Sequence, residues 1–236
     1  MEVNNKKLNK PYSYGPYNKF NDTEQWIRIT EGCPHNCEYC YEPKEYKVFG
    51  IPEIIRNDVS IMDMNFLCKP ECYDILKELA DKRVNSKVVY YKMICGFDFR
   101  FITEEIAVLM KEARFKKIRI AWDREYIQQF KLKDTIKNLI KVGYKPRNIQ
   151  LFMICNWKIP YDICLKKLDL TKVWGVQVAD CYFDGQVSPN IEPIHWTKEQ
   201  IKDFRRRCRK HNQLVSFGID PNARQVGEKH KQGELF

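Results

Sequence analysis

The sequence predicts an α/β fold built as an open partial (β/α)6 barrel. From Gln25 onward, short apolar runs alternate with amphipathic stretches, the pattern of a parallel sheet with helices outside it. Six such units within roughly 190 residues suit an open barrel, because a closed one of eight strands needs about 250. Hydrophobic residues make up 44% of the 236 and aromatics 13%, enough to bury a sizeable core.

Residues 1–24 are polar and turn-rich, with Pro11, Gly15 and Pro16 among tyrosines and a phenylalanine, and read as an irregular N-terminal arm. The barrel core is expected over 25–196, followed by a basic helix and tail over 197–236. Strands are predicted at 25–30, 59–66, 87–94, 117–122, 148–154 and 173–179. Helices are predicted at 70–83, 103–114, 125–142, 160–168 and 197–211, with 41–56 as a loop plus a short helix. Thr103 before Glu104 and Glu105 gives an N-cap with first-turn carboxylates. Thr197 with Gln200 fits a capping box. In βα barrels the working face lies at the carboxyl ends of the strands, so the loop after strand one falls on that face.

Net charge is +10, from 41 Lys and Arg against 31 Asp and Glu. That favours an anionic partner such as a nucleic acid or nucleotide. Lys131, Lys133, Lys137 and Lys141 weaken the inference, since they fall on a predicted outer helix. No apolar run approaches the roughly 20 residues that span a bilayer, so no membrane partner is expected. The N-terminus lacks the apolar segment of a signal peptide. A cytoplasmic location follows as an expectation, with the ten cysteines as thiols or metal ligands rather than disulfides.

Three of those cysteines, Cys33, Cys37 and Cys40, crowd the loop after strand one. Thiolates this close suit a soft metal centre or an iron–sulfur cluster. Structural zinc takes four ligands; His35 is available as a fourth, but it lies between two of the cysteines, a tight geometry for a tetrahedral site.

The spacing Cys-x3-Cys-x2-Cys, with Tyr39 before the third cysteine, resembles the signature of the radical S-adenosylmethionine superfamily. The runs Asp63–Leu67 and Gly96–Glu105 are similar to those of a small, little-characterised group within it. The resemblance implies a 4Fe-4S cluster on Cys33, Cys37 and Cys40, whose open iron chelates the amino and carboxylate groups of S-adenosylmethionine. It also implies the partial barrel, a one-electron donor such as flavodoxin or ferredoxin, and a 5′-deoxyadenosyl radical that abstracts hydrogen from substrate. Tyr39 would pack near the adenine.

Residues at the other strand ends are candidates for cofactor binding. Many members carry a Gly-Gly-Glu type sequence after strand two for the methionyl amine; this chain has Asp63 and Asn65, both able to accept from an ammonium. Asp98 and Arg100 are expected at the barrel mouth, Arg100 either pairing the methionyl carboxylate or forming a loop ion pair. Asp123 could reach the ribose from the end of strand four. Asn156 ends strand five.

The remaining cysteines divide by position. Cys72, Cys164 and Cys208 fall on apolar helix stripes and read as core. Cys68, Cys95, Cys155 and Cys181 fall at strand ends, where they are buried thiols, a hydrogen-atom donor or ligands of a second cluster; one cluster is the expectation. His195 and His211 read as surface or packed residues, and Asp184-Gly185 as a turn. The run Arg205-Arg206-Arg207-Cys208-Arg209-Lys210-His211 reads as a solvated helix side, with a phosphate-binding patch as its rival. The resulting reading is a radical enzyme that modifies a nucleic acid or nucleotide. A peptide or protein substrate is the nearest alternative, and a non-enzymatic metal-loop protein that binds nucleic acid is the other class.

Overall fold

A computed structural model describes residues 14–35, 37, 40, 42–123, 125–155, 159–182 and 196–219. The chain opens with β1 (Tyr17–Phe20), β2 (Gln25–Arg28), β3 (Thr30–Glu31), β4 (Lys47–Val48) and β5 (Asp58–Ile61), then α1 (Cys72–Asp81). It continues through β6 (Arg83–Val84), β7 (Lys87–Val88), β8 (Tyr90–Met93), β9 (Phe97–Asp98) and α2 (Glu104–Glu112). The last elements are β10 (Ile118–Ala121), α3 (Gln129–Lys141), β11 (Ile149–Cys155), α4 (Tyr161–Trp174), β12 (Gln177–Tyr182) and α5 (Lys198–Ser216).

Two four-stranded sheets carry the architecture, ordered β1-β2-β5-β8 and β12-β11-β10-β9. Every pairing in them is parallel except β1 on β2. The chain crosses from one sheet to the other between β8 and β9, through Gly96 at φ +85°, and a parallel bridge from Tyr91 to Phe115 adds a second tie. Alternate residues of the parallel strands (Ile27, Ile61, Tyr91, Ile120, Leu151 and Val178 among them) join the apolar stripes of the helices in one continuous core. Period-two burial on strands against the 3.6-residue stripe of helices is what the sequence pattern encodes. α1 shows it plainly, burying Cys72, Ile75, Leu76 and Leu79.

The predicted helix starts are in place. Thr103 Oγ1 accepts from the Ile106 amide at 3.1 Å, and the Thr197–Gln200 capping box closes in both directions at 3.2 and 2.8 Å. Several boundaries differ from expectation. Four residues of the arm expected to be irregular form β1, pairing antiparallel with β2. The strand expected over 59–66 stops at Ile61, because Asp63 turns its carboxylate onto the backbone of Ile29 and Thr30. The strand expected over 87–94 is split: Lys87–Val88 pairs with Arg83–Val84 in a small hairpin, with Asn85 and Ser86 at positive φ, before β8 begins. The 41–56 segment contains β4, and its described residues form no helix. α4 runs six residues past its expected end, to Trp174, and displaces strand six to Gln177–Tyr182. Gly175, left-handed at φ 65°, is the stop signal. Among the described residues no helix is long and apolar enough to cross a membrane.

Candidate active site

The cysteine loop is an excursion from the end of β2, closed at its base by the two-residue antiparallel ladder of β3 with β4. Its anchor is Asp63, fully buried behind the strand ends. One carboxylate oxygen accepts from the Ile29 amide at 2.9 Å, the other from the Thr30 amide and hydroxyl at 2.7 Å each. Burial raises this carboxyl to about 6 against the pull of those three donors. Gly32 then turns at φ +95°; a Cβ there would lie 2.3 Å from the Glu45 carbonyl oxygen, so only glycine fits. The Gly32 amide donates to buried Glu42 at 2.6 Å, and its carbonyl accepts from the ammonium of buried Lys69. Burial raises the Glu42 carboxyl, whose second oxygen has no partner among the described residues. Cys33 and Cys40 add backbone bonds to Pro43 and Cys37, at 2.8 and 2.9 Å.

The three cysteines line one solvent-open cleft. Cys33 is 9% exposed, while Cys37 and Cys40 are half-buried. Asn65, Cys95, Asp98, Arg100 and Asp123 line the same cleft, drawn from the ends of β5, β8, β9 and β10. Asn65, 6% exposed, donates from Nδ2 to Cys33 Sγ at 3.3 Å, and its Oδ1 is buried with no donor among the described residues. The Cys68 thiol lies against Cys33 and donates to the Asn65 backbone carbonyl at 3.0 Å; Lys69 Nζ is 3.4 Å from its sulfur. Hydrogen bonds from Cys68 and Asn65 outweigh burial and lower Cys33 well below an ordinary thiol. Burial dominates at Cys40, pushing it up to about 11. Metal binding requires thiolates, so these protons leave on ligation. Among the described residues no three His, Cys, Asp or Glu side chains converge on one point as a single metal ion requires. A cubane cluster asks for something else, since its ligands bind separate irons.

Asp98 is clamped by Arg100, which donates from Nε at 2.8 Å and Nη2 at 2.6 Å. His35 Nε2 lies 3.0 Å from Oδ2 of the same carboxylate, the oxygen that Arg100 Nη2 also reaches. Burial would raise Asp98, but the Arg100 and His35 contacts win and hold it below its ordinary value. The loop ion pair expected as the alternative for Arg100 is therefore present, and His35 is turned toward Asp98 rather than into a zinc set. Asp123 Oδ1 accepts from the Ile154 amide at 2.9 Å, fixing it at the cleft wall.

Asp63 is placed apart from the other expected site residues. It does not line the cleft, and its oxygens are taken by Ile29 and Thr30 because the backbone leaving β2 would otherwise be buried without acceptors. Tyr39, Asn156, His195 and Asp184-Gly185 lie outside the described residues. The four strand-end cysteines are not brought together. Cys68 sits beside Cys33, and Cys95 is on the cleft wall. Cys155 is fully buried and hydrogen-bonds Cys164, while Cys181 donates to the Ala179 carbonyl at 3.8 Å. His211 is packed, 2.7 Å from the Val176 carbonyl oxygen. On α5, Arg206 and Arg207 pair with Asp203 at 2.6 and 2.5 Å and Arg205 lies 3.8 Å from Asp180, the arrangement of a solvated helix side. Sequence reasoning missed Gly32, Glu42 and Lys69. The only available signal was Gly32 immediately before the first cysteine; a buried lysine or glutamate has no pattern of its own.

No family model matches the chain, and no curated protein does. Solved structures do match. One is a radical S-adenosylmethionine methyltransferase, TsrM, from Kitasatospora setae, with cobalamin and a [4Fe-4S] cluster bound: TM-score 0.53, 12% identity, 66% of this chain and 36% of that one. Another is the same enzyme with tryptophan substrate and the S-adenosylmethionine analogue aza-SAM: TM-score 0.54, 12% identity, 67% of this chain and 35% of that one. The chain thus spans about a third of the length of the structures it matches. Across about two thirds of its own length, it shares the fold of a radical S-adenosylmethionine methyltransferase.

Proposed function

We propose that the chain is a radical S-adenosylmethionine enzyme, with Cys33, Cys37 and Cys40 holding a 4Fe-4S cluster. The observation that carries the reading is that three unbridged thiols share one cleft at the carboxyl ends of parallel strands, beside the buried, unpartnered Oδ1 of Asn65. The donor chemistry fits a cluster: three thiolates leave one iron open. In this reading β2, β5, β8 with β9, β10, β11 and β12 are the strands of an open partial (β/α)6 barrel, and the cleft is its mouth.

When bound, the cluster would supply one electron to the sulfonium of S-adenosylmethionine, whose S–C5′ bond breaks to release methionine and leave a 5′-deoxyadenosyl radical able to abstract hydrogen from substrate. The chain's residues position the reactants. Asn65 accepts from the methionyl ammonium with Oδ1, the role expected of Asp63 as well and now assigned to Asn65 alone. Arg100, held rigid by Asp98, places a fixed cation on the wall for the carboxylate. Asp123 faces the ribose, Tyr39 the adenine, and Asn156 supplies a further polar contact. Phe97 and Phe99 make the adjoining wall apolar and limit water. A flavodoxin or ferredoxin provides the electron.

The net charge of +10 favours an anionic substrate, a nucleic acid or nucleotide. Arg205, Arg206 and Arg207 of α5 are tied to Asp180 and Asp203, so the charge acts through the remaining surface, Arg209 and Lys210 included. Binding of tRNA or DNA should weaken as salt rises; binding indifferent to salt would favour a peptide or protein substrate. The enzyme reading is tested by reducing the anaerobically reconstituted protein with dithionite in the presence of S-adenosylmethionine. Formation of 5′-deoxyadenosine, abolished by Cys33→Ala, supports it. No 5′-deoxyadenosine, with bound zinc and nucleic-acid binding that persists in air, would establish the non-enzymatic metal-loop protein instead.

A further inference from the structure

Among Cys33, Cys37 and Cys40, Cys33 stands apart: it is the most buried, and its sulfur receives a side-chain amide, from Asn65 Nδ2 at 3.3 Å. Asn65 is itself held. Its backbone carbonyl accepts from Cys68 at 3.0 Å, and the side chain is 6% exposed. The orientation of the amide is also fixed by chemistry. A ligating cysteine is a thiolate with no proton to give, so only the NH2 end of Asn65 can face it, and Oδ1 is left toward the cleft.

We infer that Asn65 is a positioning residue that sets the reduction potential of the cluster through its hydrogen bond to Cys33. The inference rests on the proposed cluster. Adding one electron raises the negative charge on the ligating sulfurs, so an N–H directed at one of them bonds more strongly in the reduced state. Hydrogen bonds to sulfur and exclusion of solvent are two of the levers that set such potentials, and Cys33 has both. The ammonium of buried Lys69, 3.4 Å from the sulfur of Cys68 and bonded to the Gly32 carbonyl just before Cys33, adds positive charge nearby and acts in the same direction. Sequence alone assigned Asn65 only to the cofactor's amine, since nothing in its position after β5 announces the contact with Cys33.

The test is a dye-mediated potentiometric titration of the anaerobically reconstituted full-length protein without S-adenosylmethionine, followed by the electron paramagnetic resonance signal of the reduced cluster. Asn65→Leu keeps the volume and removes the donor; Asn65→Asp keeps the shape and replaces the donor with a carboxylate oxygen. Both should retain wild-type iron and shift the midpoint to more negative potential. The expected change is about tenfold in the reduction equilibrium for Asn65→Leu, about 59 mV for one electron, and more for Asn65→Asp. A purely structural role would lower iron content without moving the midpoint of the cluster that remains. Should Asn65→Leu fail to hold iron, Asn65→Asp carries the measurement. Unchanged midpoints with wild-type iron would overturn the inference and leave the enzyme reading intact. A wild-type chain that takes up no iron and sulfide would overturn both.

Discussion

Replacing Asp63 by alanine removes the one group on which the exit from β2 depends. Three donors lose their acceptor at once: the Ile29 amide, the Thr30 amide and the Thr30 hydroxyl, all 2.7–2.9 Å from the carboxylate. Asp63 and Ile29 are fully buried and Thr30 is 1% exposed, so solvent does not replace what is lost. Each buried donor left unsatisfied costs about 1–3 kcal/mol. Some water entry into the vacated volume favours the low end of that range, and the sum is about 3 kcal/mol. Urea denaturation of the anaerobic protein, monitored by circular dichroism, measures the loss directly, with iron uptake recorded in parallel. A loss of about 3 kcal/mol together with reduced iron uptake is expected, because Cys33 follows this anchor by three residues. Unchanged stability combined with weakened S-adenosylmethionine binding would refute the reasoning and return Asp63 to the cofactor.

Other outcomes follow from the same geometry. Because burial lifts Asp63 to about 6, above its ordinary 3.8, the proton-linked part of its stabilisation is fully present below about pH 4 and lost as pH rises through 6, while the three hydrogen bonds it accepts remain. The difference in unfolding free energy between wild type and Asp63→Asn, measured from pH 4 to pH 7, should show that fall. Gly32→Ala forces a Cβ against the Glu45 carbonyl at positive φ and should cost about 3 kcal/mol or more, with loss of iron, in thermal melts and metal analysis. Thr197→Ala breaks the capping box of α5 at a cost of about 1 kcal/mol in urea denaturation, with 5′-deoxyadenosine formation unchanged. Arg206→Ala and Arg207→Ala, at exposed ion pairs with Asp203, should each change stability by less than about 1 kcal/mol.

The parts of the fold legible in the sequence are those written in periodic patterns. The order of strands and helices from Gln25 follows the apolar alternation, and the starts of α2 and α5 follow their Thr caps. Boundaries set by single tertiary contacts were not legible. β5 ends early because Asp63 reaches back 33 residues to Thr30. β1 forms because four exposed residues find the edge of β2, a pairing that leaves no burial pattern to read. α4 overran its apparent end although Gly175 marked the true one. At the site, the cysteine spacing located the loop, and the strand-end rule placed Asn65, Asp98, Arg100 and Asp123 on one cleft. Two roles were hidden for one reason: whether a carboxylate faces a ligand or the chain's own backbone depends on donors distant in sequence. Asp63 turned inward to Ile29 and Thr30, and Asp98 turned to Arg100 and His35.

The most direct test of the central claim is the iron, acid-labile sulfide and zinc content per chain after anaerobic reconstitution, beside a variant carrying Cys33→Ala, Cys37→Ala and Cys40→Ala. About four irons and four sulfides, all lost in the variant, are expected. Zinc without sulfide, or iron retained when the three cysteines are gone, would contradict the claim.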